Sequence, residues 1–460
     1  MNYHYNREKE AGGQQLAFKD NYYKLLCERE ALKMQFLAQK SPVAAFVKNS
    51  LQLWYAAQWD KNDPSRIFYG YGLPQFAIMR QIERKRSLEG AREAEKTGKL
   101  SVFTEPFESM VQNIIRIGEE LQDYYECETP YEALREFHTP GFANPFSASH
   151  IHALAKAVGD RQGQAHVDVP NIPQTTHDII IGKMLELAEI DLHHNVELMN
   201  VEAPACLGYP ESGIEKGVKL GLTYNADNPL KSLLNNWHEI GHACYRQFMP
   251  AGYMVAGRAM DESIAFMFEY HIGYSDEFLA FLLENGLEEC GYDKAMLKAA
   301  FTTVDKNTKR IETNPLRHPV DIFVHSRFEE ILVNEENVGQ PPEAVFANVI
   351  EPFKNIFPDD YSFFQDAHTR GGIFGDREAY NAGYAGAFQI GTLMNVTLDN
   401  MVDTVKIIAK SRSEYFAPAI HRWTGKPLSI HYYMNWISET FDVPAFTPST
   451  PHRENTFVIS

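Results

Sequence analysis

The run HEIGH at 238–242 sets two histidines four residues apart with a glutamate beside the first. On a helix, His238 and His242 lie one turn apart on the same face, so their imidazoles can grip one divalent ion. Glu239 then points beside the ion, where it can take a proton from a water that the ion acidifies. The bland alternative is two exposed histidines on a charged helix face, so a third ligand matters. The longer pattern with a glycine and a third histidine is absent, because Tyr245 and Phe248 stand at those places. Glu262, in AMDESIAFMFEYHIG, is the preferred third ligand. One helix can end, turn over MPAGYMVAGR and return antiparallel with this carboxylate facing the ion. Glu269 and His271 are the rivals, and Glu269 can share the face of Glu262 as an outer partner. Two histidines and a carboxylate leave a zinc ion an open position, which is the catalytic type of site rather than the closed structural type.

Most of the chain reads as helix. Over 104–126, Phe107, Met110, Val111, Ile114, Ile115, Ile117, Leu121 and Tyr124 recur at helical spacing behind Pro106, with Pro130 placed after the end. Further helices are expected over 20–58, 74–97, 150–160, 176–194, 229–249, 259–272, 275–287, 293–303, 319–333, 343–355, 377–411 and 431–440. The helix that carries HEIGH has Asn228 to cap it and Pro229 in its first turn. Strand-like text is limited to 199–207 and 218–224, on either side of a GYPESG turn. The expectation is an all-α chain with a small β element beside the active site. It forms one domain over 1–460, with a flexible tail over 1–16 and an extended tail over 443–460.

Composition narrows the function classes. The 460 residues are 44% hydrophobic and 23% charged, a globular balance, and the net charge is -18. Such a surface repels phosphate backbones and anionic lipid, so neither a nucleic acid nor a membrane is expected as partner. The short RKRS run at 84–87 reads as a solvated helix face. The polar start carries no signal-peptide pattern, and no stretch is apolar enough to cross a bilayer. Five scattered cysteines without a CxxC pair fit free thiols in the cytoplasm.

The text also resembles a known family. YNADNPLKSLLNNWHEIGHACYRQFMP, 224–250, follows the metal helix of the carboxypeptidase Taq zinc metallocarboxypeptidases without gaps. DESIAFMFEYHIG resembles the family's HESQSRLWENMVG block. RIETNPLRHPVDIFVHSRFEEIL, 310–332, resembles its third block, and 364–389 resembles its QDxHW block and the stretch that follows. YEALREFHTPGFA, 131–143, resembles a family segment before the core, so the likeness covers about 130–395 and is poor over the first hundred residues. The resemblance implies a single helical body with a deep central groove, usually dimeric, that removes one C-terminal amino acid at a time. It implies one zinc ion per chain on His238, His242 and Glu262, with Glu239 as base. His368 and Tyr380 fall where the family places hydrogen-bond donors to the tetrahedral oxyanion.

The departures touch substrate reading. The loop between His242 and Glu262 is shorter, and EAPAC stands in place of an HPF motif. Gly217 and Lys219 replace the Asp and Arg of DxRxT, Thr313 and Asn314 an AD pair, and Thr369 the Trp of QDxHW. The arginine expected to hold a substrate's terminal carboxylate falls at His325, which is not equivalent to a guanidinium fork. Arg310, Arg317, Arg327 and Lys219 are the candidates to take its place, although Arg327 points away from residue 325 on a helix. The leading reading is a carboxypeptidase-like zinc hydrolase acting on peptides. The alternatives are a zinc amidohydrolase acting on a small amide or dipeptide, and a non-catalytic binding protein that keeps the groove.

Overall fold

A computed structural model describes residues 90, 93, 101–138, 144–161, 169–201, 204–207, 217–249, 258–304, 314–334, 340–357, 374–410 and 416–444. The helices expected over 20–58 and 74–97 lie outside these residues apart from 90 and 93, as do both expected tails apart from 443 and 444.

The described chain is helical except for one small sheet. Before the sheet come α1 (Ser101–Tyr125), α2 (Pro130–His138), α3 (Ala148–Arg161) and α4 (Gln174–Leu187). The strands are β1 (Val196–Met199), β2 (Ala205–Leu207) and β3 (Val218–Gly221). After it come α5 (Pro229–Phe248), α6 (Arg258–Phe266), α7 (Asp276–Leu282), α8 (Lys294–Thr302), α9 (His318–Val333) and α10 (Pro342–Ile350). The last four are α11 (Glu378–Leu393), α12 (Met401–Lys410), α13 (Phe416–Thr424) and α14 (His431–Thr440). A π-helical turn, Met267–Ile272, continues α6, and a second, Leu283–Leu287, continues α7. One contiguous apolar cluster runs through these helices, from Phe107 to Phe441.

Several boundaries differ from expectation, each for a local reason. Pro130 follows the end of α1 at Tyr125 as expected, but it also opens α2, which was not anticipated. Thr129 Oγ1 accepts from Glu132 N at 3.2 Å while Glu132 Oε2 accepts from Thr129 N at 3.3 Å, a reciprocal cap written TPYE. The helix expected over 377–411 is two helices. Asn395 takes a left-handed φ of 51°, and Asn400 Oδ1 accepts from Thr397 N at 2.9 Å to start a new helix. Helix α13 was not anticipated. The strand expected over 199–207 divides into the end of β1 and all of β2. Strand β3 lies between them, parallel to β1 and antiparallel to β2, with Val196 opposite Val218 and Cys206 opposite Leu220.

Helix α5 is where the sheet, α4, α6 and α12 meet. Its start is as the sequence implies: Asn228 Oδ1 accepts from Lys231 N at 3.2 Å and Pro229 occupies the first turn. Leu230, Leu233, Leu234, Trp237, Ile240 and Cys244 bury its apolar side, and Trp237 stacks on Phe278 at 5.1 Å between centroids. Polar clamps set its angle to the sheet. Buried Asn236 accepts from Thr223 N at 3.1 Å and donates to Thr223 O at 2.8 Å, just beyond β3. Arg246 donates to Cys206 O in β2 at 2.6 Å. Such side-chain bonds to main chain in a dry interior fix register as well as adding stability.

Helix α6 is wedged between α5 and α11, and small residues let it in. A Cβ on Gly241 of α5 would lie 3.0 Å from Ala265 Cα. A Cβ on Gly383 of α11 would lie 2.8 Å from Glu262 Cβ, and one on Gly386 would collide with Ser263. The backbones therefore approach more closely than any larger side chain permits.

Candidate metal centre

Three ligand atoms converge where α5 faces α6. His238 Nε2 and His242 Nε2 are 3.1 Å apart, and each is 3.6 Å from Glu262 Oε2. A point equidistant from all three lies about 2.0 Å from each, the length of zinc–nitrogen and zinc–oxygen bonds. Among the described residues this is the one group of three whose donor atoms suit a metal ion. Glu262 and His242 are buried, His238 is half-buried, and Glu262 Oε2 has no hydrogen-bond partner. A buried carboxylate oxygen left unpaired is costly unless a cation meets it, so these residues fit a divalent ion.

Both imidazoles are held from behind by carboxylates. Glu269 Oε2, from the π-helical turn after α6, stands 2.8 Å from His238 Nδ1. Asp261 Oδ1 stands 3.0 Å from His242 Nδ1. With a carboxylate this close behind each Nδ1, the two rings turn Nε2 toward Glu262, and carboxylates in that outer position are usual behind zinc-binding histidines. Asp261 is in turn gripped by Arg246, with Nη2 2.5 Å from Oδ2 and Nε 3.2 Å from Oδ1.

The site is built for positive charge. Burial opposes a charge on His238, yet Glu262 and Glu269 outweigh it and hold the imidazole's pKa well above its ordinary value. Burial likewise opposes ionisation of Glu262, but His242, His238 and Arg258 bring its pKa down to about 2. For Asp261 the same contest goes further: Arg246 and His242 hold its carboxyl far below the usual range. With Asp261, Glu262 and Glu269 buried around two imidazoles, the site favours any cation it can take.

Glu239 sits half-buried next to His238 in α5, close enough for its charge to raise that imidazole. Tyr380, in the first turn of α11, is packed near Phe266 and His318, with ring centroids 6.2 and 5.8 Å away. Its hydroxyl accepts from Arg258 Nη2. Arg258 opens α6 and also reaches Glu262 Oε1 at 3.3 Å and Asp376 Oδ2 at 3.0 Å. The sequence reading passed over Asp261, Arg246, Arg258 and Asp376. Arg258 had a signal, because it precedes Glu262 by four residues, the spacing of a helical ion pair.

Among the described residues, the expected substrate-reading side chains His325, Arg327 and Lys219 have charged partners of their own. His325 is buried in α9, its Nε2 3.5 Å from Asp321 Oδ1 and its ring 5.3 Å from that of Phe346. Arg327 pairs with Glu330 at 2.8 Å, one turn along the same helix. Lys219 pairs with Glu197 across β1 and β3 at 3.0 Å. Arg310 and His368 lie outside the described residues.

A helical body that brings two histidines of one helix to a carboxylate of the next fits a metallopeptidase. The family model described as carboxypeptidase Taq (M32) metallopeptidase matches residues 210–440, and the chain belongs to that family. Solved structures agree on the fold. Metallocarboxypeptidase 1 of Trypanosoma cruzi superposes with a TM-score of 0.69 at 15% identity, over 88% of this chain and 89% of that one. An M32 carboxypeptidase from Deinococcus radiodurans R1 gives 0.66 at 13% identity, over 94% of each chain. A carboxypeptidase of Pyrococcus furiosus gives 0.65 at 17% identity, over 80% of each. No curated protein matches. Among the described residues no helix is long and apolar enough to cross a membrane.

Proposed function

We propose that this chain is a zinc-dependent peptidase that trims residues from peptide C-termini, with His238, His242 and Glu262 holding one zinc ion. The convergence of three donor atoms on one point at zinc-bond distance carries this reading. When bound, the ion would polarise the scissile carbonyl and lower the pKa of a water. Glu239 is placed to take the proton of the attacking water and to return it to the leaving nitrogen. Tyr380 supplies a hydroxyl proton to the oxygen on which negative charge develops, and His368 has the same assignment from the family pattern. The dry surroundings of Glu262 and His242 strengthen each of these interactions relative to bulk water.

Other features belong to the same proposal. The chain acts as one domain, with peptide entering a central groove, in the cytoplasm and as a homodimer. Residues Arg310, His325 and Arg327 are retained as candidates for reading the substrate. The positions of His325 and Arg327 against Asp321 and Glu330 favour a second reading, in which small amides or dipeptides are the substrates.

A peptide library with free and amidated C-termini and a set of acyl-amino acids, each incubated with zinc-loaded protein and read by mass spectrometry, test both. Loss of single C-terminal residues from free-acid peptides, abolished in Glu239→Gln, is the expected result. Cleavage of acyl-amino acids alone would favour the second reading. No cleavage of either class by protein that holds zinc would overturn the enzymatic proposal.

A further inference from the structure

Arg258 ties together two parts of the site that the motif leaves separate. Its Nε is 3.3 Å from Glu262 Oε1, the oxygen that does not face the two imidazoles. Its Nη1 is 3.0 Å from Asp376 Oδ2, just before α11, and its Nη2 donates to the Tyr380 hydroxyl. The guanidinium carbon lies 4.9 Å from the centre of the Tyr380 ring, so the planar group packs against the ring as well as bonding to its oxygen. One arginine thus contacts Glu262, Asp376 and Tyr380.

We propose that Arg258 is a positioning residue that sets both the denticity of Glu262 and the direction of the Tyr380 proton; this rests on the metal and oxyanion roles proposed above. A carboxylate can offer a metal one oxygen or two. Occupation of Oε1 by a guanidinium leaves Oε2 as the ligand, so Glu262 binds through one oxygen and the remaining coordination space stays open for water and substrate. A phenol has one proton and an oxygen with two lone pairs. When that oxygen accepts from a cation, its proton must be given to another acceptor, and the guanidinium makes it a better donor. An oxyanion forming beside the metal is such an acceptor. Asp376 holds the fork in the orientation that serves both neighbours. A lysine cannot do the same, since an ammonium is a point charge without the planar fork that reaches three partners at fixed angles.

The experiment compares wild type, Arg258→Gln, Arg258→Lys, Tyr380→Phe and the Arg258→Gln/Tyr380→Phe double variant. Zinc affinity of each is measured by chelator competition with Zn2+ alone, and kcat and KM with blocked dipeptides from a defined set. Arg258→Gln is expected to weaken zinc binding about tenfold or more, the usual scale for outer-shell partners. Its kcat is expected to fall more than KM rises. In the Tyr380→Phe background the same substitution should cost kcat at most a few-fold further, because its route through the phenol is already gone. Arg258→Lys should fold, as followed by circular dichroism, and still show both losses; it decides the matter if the glutamine variant is unstable. Wild-type zinc affinity in both Arg258 variants, or fully multiplicative kcat losses in the double variant, would overturn the proposal. Failure of wild type to bind zinc would instead defeat the reading of the site on which it rests.

Discussion

Substitution of Gly383 by alanine gives a direct test of how the ligand set is held. An added Cβ would lie 2.8 Å from Glu262 Cβ, 3.2 Å from Phe266 Cδ2 and 3.3 Å from the Glu262 carbonyl carbon. Carbon atoms rest at roughly 3.5–4.0 Å, so α6 and α11 must part by about 0.7 Å or more. The obstructing atoms belong to the root of a helical side chain and its backbone, which cannot swing aside as a flexible tip does. Overpacking of this kind costs about 1–3 kcal/mol, while the alanine recovers about 0.5–1 kcal/mol of helix propensity. The net expectation is a loss of up to about 2.5 kcal/mol in apo stability. The metal should feel the shift more strongly, because ligand distances tolerate only about 0.2 Å of error. Chelator competition should show zinc affinity down by about tenfold or more. Gly182 of α4 is the control: a Cβ there meets nothing within 4 Å and the position is exposed. Its alanine variant should be more stable by about 0.5–1 kcal/mol, with zinc affinity unchanged. If Gly383→Ala binds zinc as wild type does and melts at the same urea concentration, the close approach of α11 does not position Glu262.

Three further outcomes follow from the site and its surroundings. Glu239→Gln should keep zinc affinity near wild type yet lose about 100-fold or more in kcat, read by single-turnover hydrolysis; retained turnover would remove Glu239 from the role of base. Zinc added at about 100 times its Kd should stabilise wild type by about 2.7 kcal/mol in calorimetry, and this gain should vanish in His238→Ala. Glu378, at the start of α11, is buried, and burial together with Glu330 raises its carboxyl pKa despite Arg135 at 3.4 Å. The folded state therefore holds that proton more tightly than the unfolded one. Stability should fall as pH rises from about 4.3 through the raised value, and Glu378→Gln should lack this loss. Urea midpoints of the two proteins at pH 4 and pH 7 would show it, and a difference between them that does not change with pH would contradict it.

What the sequence determined by itself was whatever depends on neighbours along the chain. The pairing of His238 with His242 and the placement of Glu239 follow from helical geometry alone, and Asn228 and Pro229 mark where that helix starts. The place of Glu262 was legible because a short connection between two helices leaves few ways for a carboxylate to return to the same two imidazoles. Glu269 was legible as a residue on the face of Glu262, though its distance to His238 was not. The helix start capped by Thr129 and Glu132 and the helix break at Asn395–Asn400 rest on side-chain bonds and were missed, since periodicity carries no sign of them. Only the tertiary structure decided which partners stand behind the ligands: Asp261 with Arg246, and Arg258 between Glu262, Asp376 and Tyr380. Those contacts span as many as 122 residues, and they exist because Gly241, Gly383 and Gly386 let three helices approach closely. A glycine in a sequence says only that a side chain is missing; what occupies the space it leaves is settled when distant helices pack.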